Sequence, residues 1–345
     1  MGIRMRVAGL NDQFSIGLLM EELMPHADTA PRQEWLYRSN PDGAAITVLA
    51  TDEDSGELAG MTSAFPRRML VHGQVVLGAL GGDGWVRPQF RRRGIGSLMH
   101  LASRAALAAR GIEMLFGTPS AANATALGMA GGRDVTSLRR WVRPLLAGRL
   151  GVGGFFQRIG RFRSPARLIA AAPGDADLDV AWADLGGEAR IATVRDSEFL
   201  RWRFQEAPSA TQSLWIVRDD AGVLGACALE VLERRVRVVD LISRRDRFPR
   251  VLNAIFAAHE DAEALEVRLD DTPARALGLW RRGFFPRERV PLNVMLSSAA
   301  DWAGSAFASG EDWFSTRADT DVDTSWRAAA SRQHVREDRV LQARG

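Results

Sequence analysis

A short arginine- and glycine-rich segment, residues 91–96 reading RRRGIG, is the part of this sequence best suited to bind an anion. It follows an apolar run with several glycines and precedes a stretch whose Leu and Ala residues recur at helical spacing, so it is predicted to join a strand to a helix. The first turn of a helix carries amide N–H groups without partners inside the helix. Glycines let a phosphate approach that main chain, and arginines add positive charge beside it. The pattern therefore predicts a phosphate-binding turn.

Two widespread phosphate-binding motifs do not fit this segment. A P-loop requires a lysine after its last glycine, and all 45 basic residues of this chain are arginines. A dinucleotide-binding fingerprint requires three glycines in the spacing G-x-G-x-x-G, and after Gly82 and Gly84 the third position is Arg87. The turn is therefore of another class.

The segment and its surroundings resemble the GNAT superfamily of acyl-CoA-dependent N-acyltransferases. The pyrophosphate loop of that family reads Arg or Gln, two residues, Gly, one residue, and Gly or Ala, which Arg91, Gly94 and Gly96 match. A Val-x-Pro strand end often precedes the loop, and here it begins at Val86. A short strand and a helix that opens near Asn123 follow in the family's order.

The resemblance implies that acetyl-CoA or another acyl-CoA is the co-substrate. It implies transfer of the acyl group to the amine of a small molecule, with an amino sugar as one candidate acceptor. The residues implied to bind the acyl-CoA are those of the loop, the strand end before it and the later helix: Trp85, Val86, Arg91, Arg92, Arg93, Gly94, Ile95, Gly96, Ser97 and Asn123.

The attacking amine must lose a proton, so a carboxylate or a histidine is expected to act as the general base. Asp83, beside the glycines on the predicted central strand, is the candidate, ahead of Glu21, Glu22 and Asp240. The alternative for Asp83 is a turn or bulge residue that hydrogen-bonds its own backbone.

The general acid is harder to assign from the sequence. The family usually protonates the leaving thiolate with a tyrosine of the last helix, and that position holds Gly128 here and Leu279 in the second half of the chain. The single tyrosine, Tyr37, is distant in sequence. A thiol with a pKa near 8.5 is a tolerable leaving group without an acid. A CoA-binding module without turnover therefore stays open as the alternative function.

A weaker copy of the first half follows in the second, since residues 34–38 are echoed by 198–202 and the hairpin at 47–60 by 215–225. The second copy lacks the glycines of the loop, so we expect one CoA site, with the second copy forming a wall of the acceptor pocket or only supporting the first. We predict an α/β (α+β) protein of two tandem GNAT-like domains, each a mixed, mostly antiparallel sheet flanked by helices. The predicted boundaries are 1–145 for the N-terminal GNAT domain, 146–177 for a linker, 178–300 for the degenerate domain and 301–345 for an acidic segment and tail.

Composition argues against several other classes of protein. With 46% hydrophobic residues, 25% charged residues and a net charge of +3, the chain is typical of soluble globular proteins and gives little support to nucleic-acid binding. The lone Cys227 cannot form a disulfide within the chain, and the five histidines show no metal-ligand spacing. Without a signal-peptide-like or membrane-spanning stretch, we expect a cytoplasmic protein that binds no metal and no membrane.

Overall fold

The computed structural model describes residues 2–25, 27–145, 164–208, 211–272, 278–297, 307 and 309–320. Over these residues the chain forms one mixed sheet of thirteen strands flanked by helices, which confirms the predicted fold class. Most of the predicted linker and of the acidic C-terminal segment lies outside the described residues. None of the described helices is long and apolar enough to cross a membrane.

The strands are β1 (Ile3–Val7), β2 (Ile46–Asp52), β3 (Leu58–Val71), β4 (Gln74–Val86), β5 (Met114–Gly117), β6 (Arg133–Pro144), β7 (Arg167–Ala170), β8 (Ile191–Thr193), β9 (Gln212–Asp219), β10 (Gly222–Leu232), β11 (Arg235–Ile242), β12 (Ala264–Asp270) and β13 (Phe285–Leu296). The helices are α1 (Gln13–Leu23), α2 (Thr29–Arg32), which continues as a π-helical turn over Gln33–Arg38, α3 (Ile95–Ala108), α4 (Ala121–Met129), α5 (Ala176–Gly186), α6 (Ser197–Phe204) and α7 (Phe248–Ala258).

The two halves of the chain use the same order of elements. In the first half, β2, β3 and β4 are antiparallel, and α3 then leads to β5, which is parallel to β4. In the second half, β9, β10 and β11 are antiparallel, and α7 leads to β12, which is parallel to β11. A parallel pair needs such a crossover because its strands run in the same direction. The order agrees with the repeat seen in the sequence.

The halves exchange their last strands. The sheet order is β1-β2-β3-β4-β5-β13-β6-β12-β11-β10-β9-β7, with β8 pairing separately with β3. The late strand β13 thus pairs with β5 of the first half, and β6 of the first half pairs with β12 of the second. We expected a separate sheet for each half, whereas the described residues form one continuous sheet. The domain boundaries stay a prediction.

A pair of tryptophans joins the two echoed segments of the sequence. The Trp35 and Trp202 rings stack with centroids 4.9 Å apart and an interplanar angle of 22°. The Trp35 indole N–H donates to the Trp202 carbonyl at 2.9 Å, and the Trp202 indole N–H donates to the Trp35 carbonyl at 3.2 Å. Both side chains belong to a hydrophobic core that contains residues of both halves. The contact is reciprocal, because each ring stacks on the other and each indole donates to the carbonyl of the other residue.

Trp202→Ala should lower the free energy of unfolding by about 3–5 kcal/mol, because it removes a large buried ring and leaves a cavity. Urea denaturation measures the change. Trp280, which is 56% exposed, offers a matched control, and Trp280→Ala should change the free energy by about 0.5 kcal/mol or less. Equal effects of the two substitutions would contradict a central role for the tryptophan pair.

Candidate active site

The parallel strands β4 and β5 pair only briefly and then separate. Their pairing is confined to Ala79 with Leu115 and Leu80 with Phe116. Beyond it, β4 bulges against β3, because two residues of β4 lie opposite one residue of β3, and the first of them, Asp83, has a φ of 50°. The carboxyl ends of two parallel strands lie at the same edge of the sheet. A wedge therefore opens there, between β4 and β5.

A cavity of about 960 Å³ occupies this wedge. Its walls come from the end of β4, the loop before α3, the first turns of α3, the end of β5 with the loop that follows it (residues 115–120), and α4. The second half contributes Asn293 of β13. The cavity walls include every residue predicted for the site except Arg93: Asp83, Trp85, Val86, Arg91, Arg92, Gly94, Ile95, Gly96, Ser97 and Asn123.

The first turn of α3 presents unpaired amides to this cavity. Gly94 is the N-cap residue, with a φ of 73° in the left-handed region that glycine adopts without strain. Within the described part of the chain, the amides of Gly94, Ile95, Gly96 and Ser97 donate no hydrogen bond. No atom of the described residues lies within 4 Å of the place that a Cβ on Gly94 would take. The loop therefore offers donors and open space to an anion.

The three arginines of the loop have different surroundings. Arg91 donates from Nε to the Val86 carbonyl at 2.9 Å, and its guanidinium lies 4.7 Å from the centroid of the Trp85 ring. Arg93 lies 5.3 Å from the centroid of the Phe90 ring and does not line the cavity. Arg92 is exposed, lines the cavity and forms no ion pair within the described residues. Arg92 is thus the loop arginine best placed to neutralise a bound phosphate.

The Asp83 carboxylate is held by two residues that are distant in sequence. Arg32 donates to both of its oxygens, at 2.7 and 2.9 Å, and the Tyr37 hydroxyl donates to it at 2.7 Å. The side chains of Arg32 and Asp83 are both 1% exposed. Burial, together with the nearby Asp83 charge, raises the pKa of Tyr37 well above its ordinary value. These contacts favour an anchoring role for Asp83 in the bulge, and its assignment as general base stays a prediction.

The other carboxylates considered for the base lie elsewhere or are engaged. Glu22 accepts a hydrogen bond from Arg87 at 2.6 Å, which lowers the pKa of Glu22. Asp240 lies on β11 in the second half, where Arg195 pairs with it at 2.9 Å, and it does not line the cavity. Glu21 is exposed on α1.

Sequence reasoning missed His100, which also lines the cavity. Its Nε2 lies 2.7 Å from Oδ1 of Asn123, so the bond joins α3 to α4. The ring is 3% exposed, and burial lowers the pKa of His100 although the Asn123 hydrogen bond opposes this. The sequence could have indicated His100, because it follows Gly96 by four residues. Residues at that spacing lie on the same face of a helix, here α3.

Asn293, the residue of the second half that lines the cavity, packs closely against residues of the first half. Asn293 is 5% exposed and donates from Nδ2 to Asp134 at 3.0 Å. A Cβ on Gly132 would lie 2.6 Å from Oδ1 of Asn293 and 3.0 Å from the Leu127 carbonyl. Only glycine fits at position 132, where α4 ends and β6 begins, without displacing this side chain. Asn293 thus belongs to the wall of the cavity, and the role expected for the second copy at the acceptor pocket stays a prediction.

Residues 20–126 match the family model of the acetyltransferase (GNAT) domain. These residues form a domain of the GNAT superfamily. The matched residues include the β4 bulge, the loop, α3 and the first turns of α4, which are the elements that form most of the cavity. The resemblance seen in the sequence is thereby confirmed, and a GNAT fold supports an acyl-transferring enzyme.

Solved structures share this GNAT fold over most of the chain. A probable N-acyltransferase of unknown function from Enterococcus faecalis V583 has a TM-score of 0.66 at 14% identity, covering 85% of this chain and 72% of its own. GCN5-related N-acetyltransferases from Anabaena variabilis and Kribbella flavida have TM-scores of 0.67 and 0.61 at 13% and 15% identity, each covering 86% of this chain and 73% of its own. No curated protein sequence matches this chain significantly. At these identities the likeness is one of fold.

Arg32→Met should destabilise the GNAT domain by about 3–5 kcal/mol, because it leaves the Asp83 carboxylate buried without its cation. The double variant Arg32→Met/Asp83→Asn should recover much of this loss, since it buries no charge. Urea denaturation measures both. Arg6→Met is the control, because Arg6 is 41% exposed in its ion pair with Asp12, and its effect should stay within about 1 kcal/mol. A double variant less stable than Arg32→Met would contradict this account.

Proposed function

We propose that this chain is an acyl-CoA-dependent N-acyltransferase that acylates the amine of a small molecule, with acetyl-CoA as the first donor to test. The observation that carries the proposal is the set of unpaired amides at residues 94–97, which opens on a cavity of about 960 Å³. Those amides and Arg92 would receive the pyrophosphate. The arm that bears the thioester would then lie in the wedge between β4 and β5.

The proposed reaction forms a C–N bond and breaks a C–S bond. The amine nitrogen attacks the thioester carbonyl carbon, the oxygen takes up negative charge, and the thiolate leaves as the carbonyl re-forms. A main-chain N–H near Trp85 or Val86, just beyond the β4 bulge, is the donor proposed for that oxygen. The proton lost by the amine goes to a base and finally to solvent or to the thiolate. An amino sugar is our candidate acceptor class.

We further propose that the second half is a degenerate copy of the first and holds no acyl-CoA. Its support is the repeated order of strands and helices and the buried Arg195–Asp240 pair, which occupies on β11 the place that Arg32–Asp83 occupies on β4. Between β11 and α7, residues 243–247 include no glycine. Without glycine, the close approach of a pyrophosphate to the backbone is not available there.

The alternative function, a CoA-binding module without turnover, draws on the absence of a tyrosine at Gly128. Release of free thiol from acetyl-CoA across a panel of amines separates the two functions, because a module that only binds releases none above the uncatalysed rate.

Acetyl-CoA at a hundredfold excess over its Kd should stabilise the folded protein by about 2.7 kcal/mol, which a thermal melt records as a rise in Tm. Gly94→Val should abolish that rise, because a side chain would block the anion's approach and strain the left-handed residue. Gly56 is a matched control, since its φ is 74° and its Cβ position is equally open, but it does not line the cavity. Gly56→Val should keep the full shift. The intact protein showing no shift would overturn the proposed function.

A further inference from the structure

The hydrogen bond between His100 and Asn123 connects the two helices whose N-termini meet at the cavity. His100 lies in the second turn of α3, after the loop, and Asn123 lies in the first turn of α4, where its amide N–H donates to the Ser120 hydroxyl at 3.4 Å. The ring nitrogen Nε2 and the carboxamide Oδ1 are 2.7 Å apart. Both side chains line the cavity.

This bond fixes where the protons are. A carboxamide oxygen only accepts hydrogen bonds, so Nε2 of His100 carries the proton. Burial lowers the pKa of His100, which keeps the ring neutral and leaves Nδ1 without a proton. With its oxygen held by His100, Asn123 can offer only its N–H2 group to a ligand.

The free end of the Asn123 carboxamide lies beside the β4 bulge. Its Nδ2 is 4.0 Å from the position that a Cβ on Gly84 would take, and the Thr62 hydroxyl is 3.7 Å from the same position. Because Gly84 has no side chain, a space remains over β4. The Asn123 N–H2 group and the Thr62 hydroxyl lie beside that space. Any side chain at residue 84 would extend into that space.

A buried histidine at position 100 lowers the stability of the fold, and packing alone does not explain why a histidine is there. Its Nδ1 is buried and has no hydrogen-bond partner among the described residues. A buried polar atom left unpaired costs about 1–3 kcal/mol, and a leucine would fill a similar volume without that cost. What the histidine supplies and leucine does not is the N–H donor to Asn123.

We propose that His100 is a positioning residue, which turns the Asn123 carboxamide so that its N–H2 group donates to a carbonyl of the acyl-CoA arm beside Gly84. The acceptor is an amide or thioester oxygen lying in the wedge between β4 and β5. This role rests on the proposed function. It goes beyond that function because it assigns the orientation of Asn123 to a residue of α3 that lies outside the loop.

A double-mutant cycle on acetyl-CoA tests this role. His100→Leu and Asn123→Ala should each lower kcat/KM for acetyl-CoA and its affinity in calorimetric titration by about tenfold, the equivalent of 1.4 kcal/mol. The double variant should lose no more than either single variant, because His100 acts through Asn123. His100→Gln, which can place an N–H donor near the same point, should stay within about threefold of the unchanged protein.

His259→Leu is the matched control. His259 follows α7 in the second half, does not line the cavity, and shares with His100 a pKa that burial lowers. This variant should leave turnover and affinity unchanged. A loss equal to that of His100→Leu would show that removing a histidine far from the cavity produces the same effect, and the positioning role would be wrong.

The protonation of His100 can be measured without any variant that endangers folding. In nitrogen-15 NMR of histidine-labelled protein, with the signal assigned by its loss in His100→Gln, the ring should be neutral with its proton on Nε2. A proton on Nδ1 instead would overturn the proposed orientation of Asn123.

The outcomes separate this inference from the function on which it rests. If the unchanged protein binds no acetyl-CoA, the proposed function fails and the positioning role fails with it. If the unchanged protein binds and turns over acetyl-CoA but the two losses add to about a hundredfold, or His100→Gln is as impaired as His100→Leu, the positioning role alone is wrong.

Discussion

The antiparallel pairing of β6 with β13 is the contact on which the rest of the molecule depends. Each of these strands also pairs with the parallel strand of the other half, so neither half can complete its part of the sheet alone. A sheet edge at β5 or β12 would leave backbone groups unpaired. The exchange covers both edges at once and carries Asn293 from the second half into the wall of the cavity in the first. Strand β13 therefore belongs both to the continuous sheet and to the wall of the cavity.

The cavity lies where β4 and β5 stop pairing, just before the bulge of β4 at Asp83. Asp83 is in the left-handed region, a conformation that a residue other than glycine adopts at some energetic cost. Its ion pair with Arg32 and its hydrogen bond with Tyr37 hold it there, away from solvent. These two partners come from the segment that contains Trp35, which is anchored in turn to the second half through Trp202. The bulge, the wedge and the junction between halves are therefore connected physically.

The second half contains a similar buried ion pair with different neighbours. Arg195 and Asp240 form a buried pair on β11, but Arg195 also pairs with Asp319 at 2.5 Å, and the Thr316 hydroxyl donates to Asp240 at 2.8 Å. Residues 316 and 319 thus contact this pair, whereas the partners described for Asp83 in the first half are Arg32 and Tyr37. In the first half, Asp83 is among the residues that line the cavity. A difference in what packs against the central strand separates the two halves.

The sequence by itself determined the features that depend on neighbouring residues: the glycines and arginines of the loop, the strand before it, the helix after it, and the repeated order of elements that led to the GNAT resemblance. Backbone freedom and helical periodicity are local properties, so residues 91–97 could be named as an anion-binding turn from their pattern, and Asn123 could be named from the family resemblance. Only the tertiary structure could place Tyr37 and Arg32 on Asp83, His100 on Asn123, and Asn293 in the cavity wall, because those contacts join residues that are far apart in the chain. The strand exchange was equally invisible, since a strand's pattern of burial is the same whichever neighbour it pairs with, and pairing is chosen by how the whole sheet closes.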